Sequence, residues 1–351
     1  MLVGRFLVLA ELEQAVLERE DGPGFDVEGQ VEIQWAAARV LGVQVHLERL
    51  AQRVGLDEVA FVVDVEAVVD GLTLHIGDET CNVNHCHAPR TLPSLMMHPP
   101  NDFDEFLVLF GSICDATTAV LRAATDWGES GQRPGQYLVD LDVDEACVGP
   151  LLAAGCSVLS EESGLQHPAG GPSALGTVVV DPLDGSTNAS LGLPWCATSL
   201  CLVVDGEPAV AMVANLATGA RYTATRDGGA TLDGRPICIE TAATLADAVV
   251  AVSGLPDHHY GWRQFRAMGA SALDICAVAS GSFDGFVDMS PDAHGVWDYL
   301  GAMMVVREAG GVVVDALGRD LVVLDHAARR TPVAATSPSL LDELITHRHA
   351  S

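Results

Sequence analysis

The sequence predicts an α/β protein of α+β character, and two stretches carry that reading. Between Ala197 and Thr225 three apolar strand-like runs follow one another, Ala197 to Val204, Ala209 to Ala214 and Arg221 to Thr225. They are punctuated by Asp205-Gly206, Thr218-Gly219 and Asp227-Gly228-Gly229, which is the pattern of an antiparallel meander. Beyond Thr241 the pattern changes to alternating strand and helix: Ala248 to Val252, a helix near Tyr260 to Met268, then Ala272 to Ser280, Gly285 to Asp288, and a helix from Asp298 to Ala309 stopped by Gly310-Gly311. With 351 residues, 49% of them hydrophobic, the chain is long enough for two domains and a well-buried core.

Three segments follow from these patterns. Residues 1–100 form an amino-terminal extension of unknown role. It contains helical stretches around Glu11 to Glu20 and Val31 to Val54, alternating apolar runs such as Val59 to Val69, and a linker rich in Pro, His and Asn from Asn82 to Pro100. Cys81, His85, Cys86, His87 and His98 are ligand-type residues, but their spacing fits no zinc pattern, and they are read as a polar loop. Residues 1–95 are either an added segment or a misassigned upstream start. Residues 101–240 form an α+β half with the antiparallel sheet, and residues 241–345 an α/β half that completes the site. In the first of these, Asp102 caps a helix with apolar positions Phe103, Phe106, Leu107, Phe110 and Ile113, running to about Thr125. A shorter helix over Glu145 to Ala154 is interrupted at Gly149 and Pro150. Two short apolar runs then end in carboxylates, Ser157 to Leu159 before Glu161 and Thr177 to Val180 before Asp181.

The formal charge of −30 argues against a nucleic-acid partner, since such proteins present a basic face to the phosphates. Every basic residue is Arg and none is Lys, which excludes a P-loop; no Gly-x-Ser-x-Gly elbow is found either. The nine Cys residues are scattered through apolar stretches and read as small buried hydrophobes in a reducing cytoplasm. The apolar run Phe6 to Ala10 is too short for a signal-peptide core or a membrane span, so neither export nor membrane attachment is expected.

The segment Asp181 to Asn188, DPLDGSTN, carries the densest chemistry. Pro182 fixes the backbone after Asp181 and Gly185 permits a sharp turn after Asp184, so the two carboxylates can converge on one point. Paired carboxylates suit hard cations, and the amides and hydroxyls of Gly185, Ser186 and Thr187 suit a phosphate. Read alone, the same residues also make an ordinary surface turn. Two more acidic segments stand at element ends, Ser160 to Gly164 and Trp297-Asp298, and for Asp298 by itself a helix cap is the simpler role.

Taken in order, SEES, VDPLDGSTN, GASALDICAVASGSFDGFVD and WDYLGAMMVVREAGG resemble the signature blocks of the inositol monophosphatase superfamily, from about Asn101 to about Val333. The resemblance implies a layered αβαβα sandwich of the inositol monophosphatase/fructose bisphosphatase type. It implies Mg2+-dependent hydrolysis of a small phosphate monoester by metal-activated water, with two or three ions. Glu161, Asp181, Asp184, Asp298 and the carbonyl of Leu183 are the implied metal ligands, with Glu162 behind them and Asp144 chosen over Asp140 and Asp142 for a third ion. Glu161 and Ser186 would position the attacking water, with Asp184 also essential to catalysis, and Gly185, Ser186 and Thr187 would cradle the phosphate. Gly269, Ser271 and Asp288 match positions that meet substrate hydroxyls. Asp288 stands where inositol-specific relatives more often have Glu. The loop after it, Met289 to Val296, is a few residues longer than theirs, and its His294 is read as solvated. The implied substrate is inositol monophosphate, with histidinol phosphate or another sugar or nucleotide phosphate as the alternative. Lithium inhibition and a homodimer are further implications.

Overall fold

The computed structural model describes residues 102–239 and 243–349, together with a two-residue antiparallel ladder of Val68–Val69 with Leu72–Thr73. The chain divides into a unit Met1–Leu95 and a unit Met96–Ser351. The expected helices at Glu11 to Glu20 and Val31 to Val54, the linker and the His/Cys cluster lie outside the described residues.

In the second unit, α1 (Phe103–Ala123) opens with Asp102, whose Oδ1 accepts the Glu105 amide at 2.9 Å. The helix is long and apolar enough to cross a bilayer on composition alone. Its inner face, however, buries Phe106, Phe110, Ile113 and Cys114 against α2 (Leu138–Ala153) and a large sheet. Helix α2 begins well before the expected Glu145, because Asp140 caps its first turn by accepting the Tyr137 amide at 2.8 Å. It also continues through Gly149 and Pro150, which fall in its last turns, although Pro150 offers no amide to the Ala146 carbonyl.

The large sheet contains β1 (Ser157–Ser160), β2 (Gly164–Gln166), β3 (Thr177–Asp184), β4 (Ala197–Val204), β5 (Glu207–Asn215), β6 (Arg221–Thr225), β7 (Gly229–Leu232) and β8 (Arg235–Ile237). Its order is β8-β7-β6-β5-β4-β3-β1-β2, antiparallel throughout except for the parallel pair β1 and β3. A smaller sheet has the order β10-β9-β11-β13-β12, from β9 (Val249–Ser253), β10 (Gln264–Arg266), β11 (Gly285–Asp288), β12 (Val312–Asp315) and β13 (Pro332–Ala335). Here β9 runs parallel to both β10 and β11, and the other pairs are antiparallel. The expected helix at Tyr260 to Met268 is replaced by β10. Gly261 has φ +91°, which interrupts a helix at once, and Gln264 to Arg266 pair with the edge of β9 instead.

Five layers result. Helices α1 and α2 cover one face of the large sheet. Helices α4 (Ser271–Ala279) and α5 (Leu300–Glu308) fill the space between the two sheets, and α6 (Pro338–His349) covers the outer face of the smaller one. The central strands are buried on both faces and so read as continuous apolar runs. Alternation nevertheless sorts them: Leu200 and Leu202 of β4 join the core under α1 and α2, while Ala197, Cys201 and Val203 join the core beside α4 and α5. Of the described cysteines, Cys114, Cys147, Cys156, Cys196, Cys201 and Cys276 are buried and Cys238 is exposed.

Candidate active site

The parity of β3 decides where its carboxylates go. Val178 and Val180 face the α1/α2 layer and Val179 faces α4 and α5, so Asp181 points with Val179 toward the inter-sheet layer. A regular strand would send Asp184, three residues on, to the opposite face. The register with β4 shifts here: Asp181 pairs with Ser199 and Asp184 with Ala197, so three steps on β3 oppose two on β4. This bulge returns Asp184 to the side of Asp181. Pro182 fits inside it, where no ladder donor is required, and its carbonyl accepts the Thr198 hydroxyl at 2.8 Å. Leu183 buries its side chain beside Val139, Val143 and Cys196, and its amide donates to Asp181 Oδ1 at 3.1 Å.

Two other elements deliver carboxylates to the same place. Glu161 follows β1, whose Ser160 lies in register with Val180, so Glu161 emerges beside Asp181 across the parallel pair. Asp298 ends a 3-10 turn, Val296–Asp298, just before α5, and its Oδ2 accepts the Gly295 amide at 2.7 Å. Helix α5 approaches β4 closely because of Gly301: a Cβ there would stand 2.9 Å from Ser199 Oγ and 3.3 Å from Leu200 O. Glu161, Asp181 and Asp298 thus converge, each offering an oxygen within 4.8 Å of the others. Asp184 adjoins them and is anchored differently, accepting the Ser271 and Ala272 amides at 3.2 and 2.7 Å from the first turn of α4.

Such crowding raises the cost of ionisation. Burial and the charges of Asp298 and Glu162 push the Glu161 carboxyl up to about 8, against the pull of Arg133. Burial, then Glu161 and Asp184, drive Asp181 well above the usual carboxylate range, and burial with Asp298 does the same to Asp184. Asp298 is also raised by burial, although His294 and the Gly295 amide oppose this. Arg133 lies on the outer edge, its Nη2 2.9 Å from Glu161 Oε1 and 2.7 Å from Glu162 Oε1. Gln136 also donates to Glu162.

A hard divalent cation suits this donor set, which is made only of oxygens and repels itself when empty of positive charge. Asp144 is not part of the convergence. It is tied to the Ser160 hydroxyl, while Asp142 is exposed. In Asp140, Oδ1 is buried with no hydrogen-bond partner, and burial pushes the group up to about 6.

After the bulge, Gly185 turns the chain with φ +83° into the short helix α3 (Ser186–Ser190), leaving Ser186 half-buried and Thr187 exposed. A Cβ on Gly185 would stand 3.0 Å from Trp195 O and from Ala270 Cβ. Asn188 Nδ2 donates to both Trp195 O and Met268 O at 2.8 Å, which fixes the turn against the exposed Gly269 and the start of α4.

The expectation for His294 needs correction. It is buried, not solvated, with Nδ1 2.8 Å from Asp288 Oδ2 and Nε2 2.8 Å from Ser271 Oγ. A two-way backbone bridge to Arg330 draws the loop inward, a contact between distant segments that local sequence does not announce. Burial lowers the His294 pKa, but the Asp288 hydrogen bond and the charges of Asp298, Asp288 and Asp184 outweigh it and the net shift is upward. Sequence reasoning also missed Arg133 and His326; the latter's Nε2 lies 2.9 Å from the Glu161 carbonyl oxygen.

Comparison with known proteins agrees with this geometry. The inositol monophosphatase family profile matches residues 139–351. Inositol monophosphatase 3 of Solanum lycopersicum is 33% identical over 184 residues, 48% of this chain and 66% of that protein. The inositol-1-monophosphatase of Rhizobium meliloti is 38% identical over 157 residues, 40% of this chain and 57% of that protein. The chain thus matches less than two thirds of the length of these two relatives. The crystal structure of the extragenic suppressor protein SuhB from Bartonella henselae superposes with a TM-score of 0.58 at 25% identity, covering 69% of this chain and 97% of that one. From the profile match, the ordered acidic segments and the shared fold, the chain belongs to the inositol monophosphatase family.

Proposed function

We propose that this protein is a magnesium-dependent phosphomonoesterase whose substrate is an inositol monophosphate. The observation that carries the reading is the convergence of Glu161, Asp181 and Asp298 from three separate elements, with Asp184 beside them. Glu161, Asp181, Asp184, Asp298 and the Leu183 carbonyl would hold two or three Mg2+ ions. When bound, the metal supplies charge neutralisation for the phosphoryl group and lowers the pKa of the attacking water. The chain's own part is placement: the Gly185 turn and the amides of Ser186 and Thr187 orient the phosphate, and Glu161 with Ser186 aims the water. The tie from Asp184 to α4 keeps the two halves of the site in fixed register. A cytoplasmic homodimer inhibited by lithium belongs to the same reading.

The test is phosphate release from inositol 1-phosphate. Activity should require Mg2+, disappear on chelation and return when Mg2+ is restored. Turnover that survives complete chelation would remove the proposal.

A further inference from the structure

Two buried hydroxyls hold the bulge of β3 from behind. Asp181 and Asp184 stand opposite Ser199 and Ala197 of β4, so Pro182 and Leu183 together oppose the one residue between those two, Thr198. Strand parity places Thr198 with Leu200 and Leu202, on the face under α1 and α2 and away from the acidic cluster. Its hydroxyl donates to the Pro182 carbonyl at 2.8 Å and lies 3.1 Å from the hydroxyl of Thr117 on α1. Both side chains are fully buried.

Each hydroxyl has one proton to give. Thr198 gives its own to Pro182, so Thr117 supplies the proton between the two; its other acceptor, the Cys114 carbonyl 3.1 Å away, already accepts the Thr118 hydroxyl at 2.7 Å. The relay then passes through the peptide that joins Pro182 to Leu183. The carbonyl of that peptide accepts from Thr198, and its N–H, the Leu183 amide, donates to Asp181 Oδ1 at 3.1 Å. One rigid plane is thus held from α1 at one end and holds a carboxylate of the cluster at the other. Turning it would move Asp181 and, one residue further on, the Leu183 carbonyl. The layer between α1 and the sheet is built mainly from apolar side chains such as Ile113, Cys114, Val180, Leu200 and Met212, where a hydroxyl without a partner is costly. Packing alone would be served by Val, which has the same branched shape; what the hydroxyls add is the hold on the peptide.

We propose that Thr198, backed by Thr117, is a positioning residue of the acidic site: from the far face of the sheet it fixes the Pro182–Leu183 peptide, and through it the aim of Asp181 and of the Leu183 carbonyl. The inference rests on the phosphomonoesterase reading above and adds to it two side chains that touch neither metal nor substrate. Hydrogen bonds in a buried relay polarise one another, so losing the Thr198 hydroxyl also weakens the donor that Leu183 offers to Asp181. Affinity for the cation therefore depends on a hydroxyl on the opposite face of the sheet.

The experiment measures Mg2+ binding by isothermal titration calorimetry without substrate, alongside the Mg2+ dependence of phosphate release from inositol 1-phosphate. The proteins are the full chain, Thr198→Val, Thr198→Ser and Thr117→Val. Thr198→Val keeps the branched shape and removes the hydroxyl. It should weaken Mg2+ binding about tenfold, which corresponds to about 1.4 kcal/mol, and raise the half-saturating Mg2+ concentration by the same factor. Thr198→Ser keeps the hydroxyl and leaves a methyl-sized void, so it should melt lower in chelator yet bind Mg2+ within about twofold of the parent. Thr117→Val leaves the bond to Pro182 in place and should weaken binding about threefold. Parent-like affinity in Thr198→Val overturns the proposal, as does equal weakening in the Val and Ser variants, which would mark a purely structural role. Should Thr198→Val fail to fold, Thr117→Val decides, and parent-like affinity there overturns the proposal. A parent protein that neither binds Mg2+ nor releases phosphate would instead remove the phosphomonoesterase reading.

Discussion

Two buried acidic groups lie on either side of the α4 start, and their partners differ. At the end of β3, Asp181 is enclosed with Asp298 and Glu161, their oxygens within 4.8 Å of one another. The charges around Asp181, those of Glu161, Asp184, Asp298 and Glu162, are all negative, while Arg133 reaches the group at its Glu161 edge and His294 and Arg329 ease Asp298. At the end of β11, Asp288 is buried as deeply, yet the Ser290 amide and His294 each satisfy one of its oxygens. Burial alone therefore does not mark a binding site. A carboxylate whose buried oxygens all have donors is a finished network, whereas several that raise one another's pKa favour any cation that can enter.

The comparison can be broken most sharply at Asp181. Asp181→Asn keeps an acceptor for the Leu183 amide while removing one charge from the cluster. Catalysis should fall by about a thousandfold, and the metal-free protein should become more stable by about 1–2 kcal/mol, since a buried like-charge repulsion is relieved. Turnover and thermal melting in chelator measure the two effects. A variant that is both inactive and destabilised without metal would mean that the cluster is not under electrostatic strain. The corresponding change at Asp288 should destabilise, because it disrupts a satisfied chain.

A smaller effect sharpens the account of the turn between these regions. Gly185→Ala meets both a left-handed backbone and a Cβ within 3.0 Å of Trp195 O. Gly192→Ala meets the same kind of backbone, φ +71°, with nothing within 4 Å of the new Cβ. The second change should cost about 1 kcal/mol from conformation alone. The first should cost at least twice as much and lower kcat about tenfold by displacing the Ser186 and Thr187 amides. Equal losses in denaturant melts would show that the close packing on α4 has no energetic weight.

These differences bear on what a sequence discloses. The carboxylates of β3 were legible because local chemistry dictates them: Pro182 and Gly185 bracket Asp184, and a strand run ends in Asp181. The bulge that aligns the pair is visible only against β4. The meander from Ala197 to Thr225 was legible for the same reason, with turn residues standing between apolar runs. His294 was not, because its loop is polar and its burial comes from a bridge to Arg330, thirty-six residues away. The stretch Tyr260 to Met268 reads as a helix. Gly261 and pairing with β9 made a strand, and Tyr260 and Trp262 stack with centroids 4.8 Å apart. Arg133 was missed for a similar reason, since nothing near it in sequence points to Glu161 and Glu162, twenty-eight and twenty-nine residues on.

Asp274 lies between the two regions and gives the mildest and most specific test of the contrast. Its charge would raise the pKa of Asp184, and it is itself stabilised as an anion by His294. It is buried in α4, where its Oδ1 accepts the Trp195 indole N–H at 2.8 Å. Burial pushes its carboxyl up to about 7, with the Trp195 hydrogen bond and His294 pulling the other way. In the unfolded chain the same group loses its proton near pH 4. Between about pH 4 and 7 the folded protein therefore holds a proton that the unfolded chain has released, and stability falls as pH rises through that window. Asp274→Asn removes the titration and keeps an acceptor for Trp195. In chelator, the variant and the parent should melt alike near pH 4 and diverge above it, the variant being more stable by about 1–2 kcal/mol at pH 8. Contributions from the acidic cluster are common to both proteins and largely cancel in the difference. Curves that stay parallel from pH 4 to 8 would show that Asp274 ionises as readily in the fold as outside it, and that His294 and Trp195 satisfy it as fully as His294 and Ser290 satisfy Asp288.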